Sequence, residues 1–97
     1  MYVTMHSYKI GAGTQLDVAR TAEGFLQTVS TIPGFRAYYM VDGGDHRIGS
    51  VSIFETPEGV ERCDKLAAEF VTERLEGFRL TDVEVTEGKV LASQLSR

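Results

Sequence analysis

The chain has 97 residues and a mass of 10.7 kDa, with 42% hydrophobic and 25% charged residues, so residues 1–97 read as one small globular domain. Fourteen acidic against ten basic residues give a net charge of −4 and a pI near 5.1, which argues against a nucleic-acid partner, whose phosphates call for a basic surface. The single cysteine, Cys63, excludes an internal disulfide and a zinc site built on several thiolates. No stretch approaches the roughly 18 to 20 apolar residues of a membrane span, and the first ten residues lack the basic start and apolar run of a signal peptide. A cytoplasmic protein with no membrane partner is expected.

Residues 2–10 are rich in β-branched and aromatic side chains and end at Gly11-Ala12-Gly13, the pattern of a strand running into a turn. Thr14, with Asp17 three positions on, starts a helix like a capping box. Val18, Ala22, Phe25, Val29 and Ile32 then recur at helical spacing, which predicts one helix over residues 14–30. Pro33-Gly34 stops it. Two strands are expected at residues 35–41 and 48–55, joined through Asp42-Gly43-Gly44-Asp45 as a hairpin. Thr56-Pro57 supplies an N-cap and a first-turn proline for a second helix. Its apolar stripe runs through Val60, Cys63, Ala67, Phe70 or Val71, and on to Phe78. A last strand covers residues 83–92, with Gly88 as its expected bulge or kink.

Strand, helix, strand, strand, helix, strand is the order of an α+β ferredoxin-like βαββαβ sandwich. Right-handed crossovers put the first and third strands in the centre and the helices on one face. The other face then collects Val3, Met5, Ser7, Val51, Ile53 and either Tyr38 or Met40. A monomer would expose more apolar sheet than the few hundred square ångströms usual for soluble monomers, so a homodimer is expected.

These elements resemble the antibiotic biosynthesis monooxygenase-like family of dimeric α+β barrels. The residues that carry the resemblance are Tyr8-Lys9-Ile10 before Gly13, Ile32-Pro33-Gly34-Phe35 with Tyr38-Tyr39, and Ser52-Ile53-Phe54-Glu55. The resemblance implies a dimeric barrel. It also implies an activity drawn from a family that includes oxygenases working without metal or cofactor, and haem-degrading enzymes. Haem-degrading members carry an asparagine, a tryptophan and a histidine where this chain has His6, Phe54 and a position at or beside Asp64. With no Asn and no Trp anywhere in the chain, haem degradation is not expected.

Alternation puts Thr4, His6, Tyr8 and Ile10 on one side of the first strand, the side the resemblance assigns to a helix-facing cavity. His6 is the candidate general base, because an imidazole exchanges protons near neutrality, and either Tyr8 or Tyr39 is the candidate to hold a phenolic or enolic oxygen. His6 and Tyr8 are the candidate catalytic residues. Tyr39, Ser50, Ser52, Phe54 and Cys63 are the candidate substrate-binding residues. The alternative for His6 is a packed, hydrogen-bonded core residue. Cys63 sits on an apolar stripe beside Asp64 and Glu61, a setting for packing rather than nucleophilic attack. Asp42, Asp45 and His46 suggest either a metal clip or simple turn chemistry, and no metal or cofactor is expected. The resulting expectation is a cofactor-independent monooxygenase-like enzyme for a small aromatic or polyketide-like molecule. Its alternative is a non-catalytic small-molecule-binding or structural dimeric module.

Overall fold

The structure is a computed structural model that describes residues 1–96. Its elements are β1 (Tyr2–Lys9), α1 (Gln15–Thr21), α2 (Glu23–Val29), β2 (Phe35–Gly44), β3 (Arg47–Phe54), α3 (Pro57–Arg74), a 3₁₀ turn (Glu76–Phe78) and β4 (Thr81–Lys89). The four strands form one antiparallel sheet in the order β2-β3-β1-β4. β1 and β3 are central, and the helices cover one face. This is the ferredoxin-like α+β fold.

Each helix starts where local chemistry supplies partners for its first free N–H groups. The Thr14 hydroxyl accepts from the Asp17 backbone while the Asp17 carboxylate accepts from the Thr14 N–H, both at 3.2 Å. Thr56 accepts from the Gly59 N–H at 3.2 Å, with Pro57 in the first turn. The single helix expected over residues 14–30 is instead two seven-residue segments that meet at Ala22. Gly24, just beyond the junction, is the poorest helix former available there short of proline.

Three local irregularities decide which side chains face the helices. In β2, Phe35 pairs with Phe54 but Ala37 pairs with Ile53. That bulge turns Phe35 and Tyr38 to the same side although they are three residues apart. The β2–β3 turn is not Asp42-Gly43-Gly44-Asp45, because pairing continues to Gly44↔Arg47. Asp45 and His46, with φ of 45° and 60°, form the two-residue loop, the backbone twist that hairpins favour. β4 is irregular between Lys9↔Thr81 and Ser7↔Glu84, where Asp82 takes a φ of 49°. Gly88, expected to kink, pairs regularly with Val3.

Two clusters make up the core. Phe25, Val29, Ile32, Phe54, Val60 and Cys63 fill one half, and Ile10, Val18, Ile48 and Leu75 the other. The open face carries Met5, Tyr39 and Val41, at 41, 59 and 49% exposure. Val51 and Ile53 lie beside them, partly buried.

Candidate functional site

The site begins with the pairing of β1 and β3. Thr4 lies opposite Ser52, His6 opposite Ser50 and Tyr8 opposite Ile48, so period-two alternation sends six inward side chains under the helices. α3 passes above them and places Asp64 beside His6. The Asp64 Oδ1 lies 2.8 Å from His6 Nε2 and accepts from the Thr4 hydroxyl at 2.7 Å. A carboxylate only accepts, so Nε2 carries the ring hydrogen. The other nitrogen, Nδ1, lies 3.1 Å from the Tyr8 hydroxyl, and in the neutral ring it accepts that hydrogen. The result is a chain of bonds from Asp64 through His6 to Tyr8.

The electrostatics of the chain follow from its burial. Burial opposes ionisation of Asp64, but hydrogen bonds with Glu87, Thr4 and His6 outweigh it and hold the carboxyl below the ordinary carboxylate range. Glu87 lies across from Thr4 on β4. It moves upward, because its hydrogen bond to Asp64 and that neighbour's charge both favour the protonated form. Burial, then Asp64, then Cys63 raise the Tyr8 phenol. Burial pushes Tyr38 up to about 12, against a hydrogen bond to Ser50. Both phenols therefore stay protonated near neutrality.

Two spaces meet at this chain. A narrow cavity of about 40 Å³ lies between the sheet and the helices, with Val18, Phe25, Ile48, Phe70 and Leu75 among its apolar walls and His6, Tyr8, Tyr38 and Ser50 also lining it. A more open groove of about 360 Å³ runs between α3 and β4, lined by Asp64, Ala68, Val83 and Val85. His6, Tyr8 and Val71 belong to both.

The structure brings His6, Tyr8 and Ser50 together at the cavity. Tyr39 lies elsewhere: the β2 bulge turns it to the open face with 59% exposure, and Tyr38 and Met40 line the cavity instead. Ser52, Phe54 and Cys63 are at most 2% exposed and do not line the cavity. They are packed below it, with the Cys63 thiol donating to Ser52 at 3.6 Å, and burial pushes that thiol upward. Asp64 was not among the expected site residues. Its signal was a carboxylate at i+4 from Val60 in a helix whose other residues at that spacing are apolar or small. The contrast between a packed and a functional His6 dissolves here, because both ring nitrogens have protein partners and the ring still borders the cavity. Arg36 pairs with Glu55 at 2.9 Å. Among the described residues no group of three or more His, Cys, Asp or Glu is placed to hold a metal ion, and no helix is long and apolar enough to cross a membrane.

No family model and no curated protein matches the chain. Solved structures do match it along nearly its whole length. The monooxygenase ActVA-Orf6 of Streptomyces coelicolor, in complex with nanaomycin D, superposes with a TM-score of 0.76 at 14% identity, covering 99% of this chain and 92% of that one. A dimeric ferredoxin-like protein from an uncultured marine organism gives 0.71 at 18%, covering 99 and 100%. The heme-degrader MhuD of Mycobacterium tuberculosis, with two hemes bound, gives 0.71 at 17%, covering 97 and 99%. At these identities the likeness establishes architecture rather than reaction, and the chain has the ferredoxin-like α+β fold of the antibiotic biosynthesis monooxygenase-like proteins.

Proposed function

We propose that this protein is a cofactor-independent monooxygenase acting on a small aromatic or polyketide-like molecule, with His6 as the base. The observation that carries the reading is the Asp64–His6–Tyr8 chain, which borders two apolar spaces, the narrow cavity and the α3–β4 groove. A proton leaving an activated C–H passes to the Tyr8 oxygen as the Tyr8 proton passes to His6 Nδ1, and the Asp64 carboxylate stabilises the imidazolium. The resulting carbanion or enolate gives an electron to dioxygen, the two radicals combine as a peroxide anion, and the proton held on the imidazolium returns through Tyr8 to make it a hydroperoxide. Loss of water then leaves a carbonyl. A CH₂ group and one dioxygen yield C=O and one water, with all four electrons supplied by the substrate carbon, so no external reductant is required.

Haem does not fit this site as a cofactor. Both nitrogens of His6 are engaged by Tyr8 and Asp64, and the other histidine, His46, lies in the β2–β3 turn. One observation favours a second reading, a non-catalytic binding or structural module: the same pair of hydrogen bonds satisfies His6 without any ligand. Oxygen uptake with anthrone, a tricyclic ketone with an activated CH₂, separates the two. The expected result is one dioxygen consumed per anthraquinone formed, and a rate at least about a hundredfold lower in His6→Ala. Equal rates in both proteins overturn the reading.

The second subunit is part of the same proposal. The open face is apolar across β2, β3 and β1, and turns polar at Glu84 and Thr86 of β4, so a second copy covers it best. Light scattering is expected to give twice 10.7 kDa, with Val51→Asp dissociating or unfolding the protein because a buried unpaired charge costs several kcal/mol. A stable 10.7 kDa species overturns the dimer.

A further inference from the structure

The two spaces that share His6, Tyr8 and Val71 differ about ninefold in size, roughly 40 against 360 Å³. An apolar cavity that takes a benzene ring measures about 150 Å³, and such cavities also take xenon and stay free of water. The narrow cavity is therefore too small for an aromatic ring yet large enough for a diatomic gas. Its walls are predominantly apolar, Val18, Phe25, Ile48, Phe70 and Leu75 among them, with the polar groups of His6, Tyr8, Tyr38 and Ser50 at its edge with the sheet. The groove has room for a ring system. Val83 and Val85 stand 56 and 50% exposed along it, leaving apolar surface for a flat ligand to cover.

We propose that the narrow cavity is a binding site for an apolar gas, dioxygen, and that the α3–β4 groove takes the organic reactant, with His6 and Tyr8 at the boundary between them. This rests on the oxygenase reading above and divides its two substrates between two sites. The division has a chemical consequence. The carbanion forms at the boundary, beside an apolar store of dioxygen, and a gas more soluble in apolar surroundings than in water is concentrated where the electron is released.

The test reads gas binding without turnover. Methyl relaxation by dissolved dioxygen under pressure is expected to be at least threefold stronger at Val18, Ile48 and Leu75 than at Val29, which is fully buried in the other cluster. Xenon should shift the same methyl signals saturably. Equal enhancement at Val29 and at the cavity methyls overturns the gas site. Two filling variants, Ala22→Leu and Ala67→Leu, remove space from the cavity wall, and the second keeps the test open should the first disturb the α1–α2 junction. Each is expected to abolish the excess relaxation and to raise KM for oxygen in anthrone oxidation at least tenfold, with KM for anthrone within twofold. Val85→Lys in the groove is expected to do the reverse. If filling leaves KM for oxygen unchanged, or Val85→Lys leaves KM for anthrone unchanged, the division falls. Gas binding without any anthrone oxidation sinks the oxygenase reading and leaves the gas site standing, so the two failures are distinguishable.

Discussion

The two halves of the helix-covered side are built from the same strands and end up opposite in character. At one end Phe54 is fully buried, stacks edge-on against Phe35 at 5.8 Å, and lies so close to α3 that a Cβ on Gly59 would sit 2.7 Å from its ring. Four residues back along β3, the inward position is Ser50, with Gly49 beside it, and a cavity remains. The aromatic end is closed by volume. The serine end stays open because its side chains are too short to reach the helices, and polar groups gather there because a buried polar atom needs a partner. Hydrogen-bonding side chains and unfilled space thus coincide for one physical reason, the small size of what β3 presents.

The strongest way to break this contrast is Phe54→Ala. It empties the packed half and is expected to cost about 3–5 kcal/mol in chemical denaturation, while cavity properties read at Ile48 stay intact. A loss below about 1 kcal/mol would mean that the dense half is not what holds the fold.

A smaller effect is expected from Asp64→Asn. A carboxyl held below its ordinary range binds its proton less readily in the folded than in the unfolded chain. Its stabilisation is therefore present above about pH 4 and is lost as pH falls through the folded value. Glu87 shifts the other way, so a Glu87→Gln background isolates the Asp64 contribution. In that background Asp64→Asn should flatten the acid limb of the stability profile and leave the alkaline limb unchanged. An unaltered acid limb would show that the bonds to Thr4 and His6 contribute nothing in solution.

The smallest effect concerns Tyr38. Its phenol is raised to about 12, so the folded chain keeps a proton that the unfolded chain gives up from about pH 10. Stability is therefore full below about pH 10 and declines as pH rises toward 12. Tyr38→Phe should remove part of that decline, whereas Tyr39→Phe on the open face should not. Matching alkaline profiles for the two variants would place Tyr38 in water and contradict the β2 bulge.

Much of this was legible in the sequence because it depends on short-range chemistry. The capping residues Thr14 and Thr56, the alternation of Thr4, His6 and Tyr8, and the central placement of β1 and β3 follow from local patterns and from the handedness of crossovers. An apolar open face followed from the same alternation. What tertiary structure alone decided are events without a local signature. One extra residue around Arg36 exchanges Tyr39 for Tyr38 at the cavity, since a shift of one position in a period-two element inverts every side chain beyond it. A junction at Ala22 divides one expected helix into two. Asp64 becomes the partner of His6 across 58 residues of chain, because the angle and height at which α3 crosses β1 depend on how all the intervening side chains pack. The sequence by itself determined which faces are apolar and where His6 points; packing decided which carboxylate meets it and how much space is left beside it.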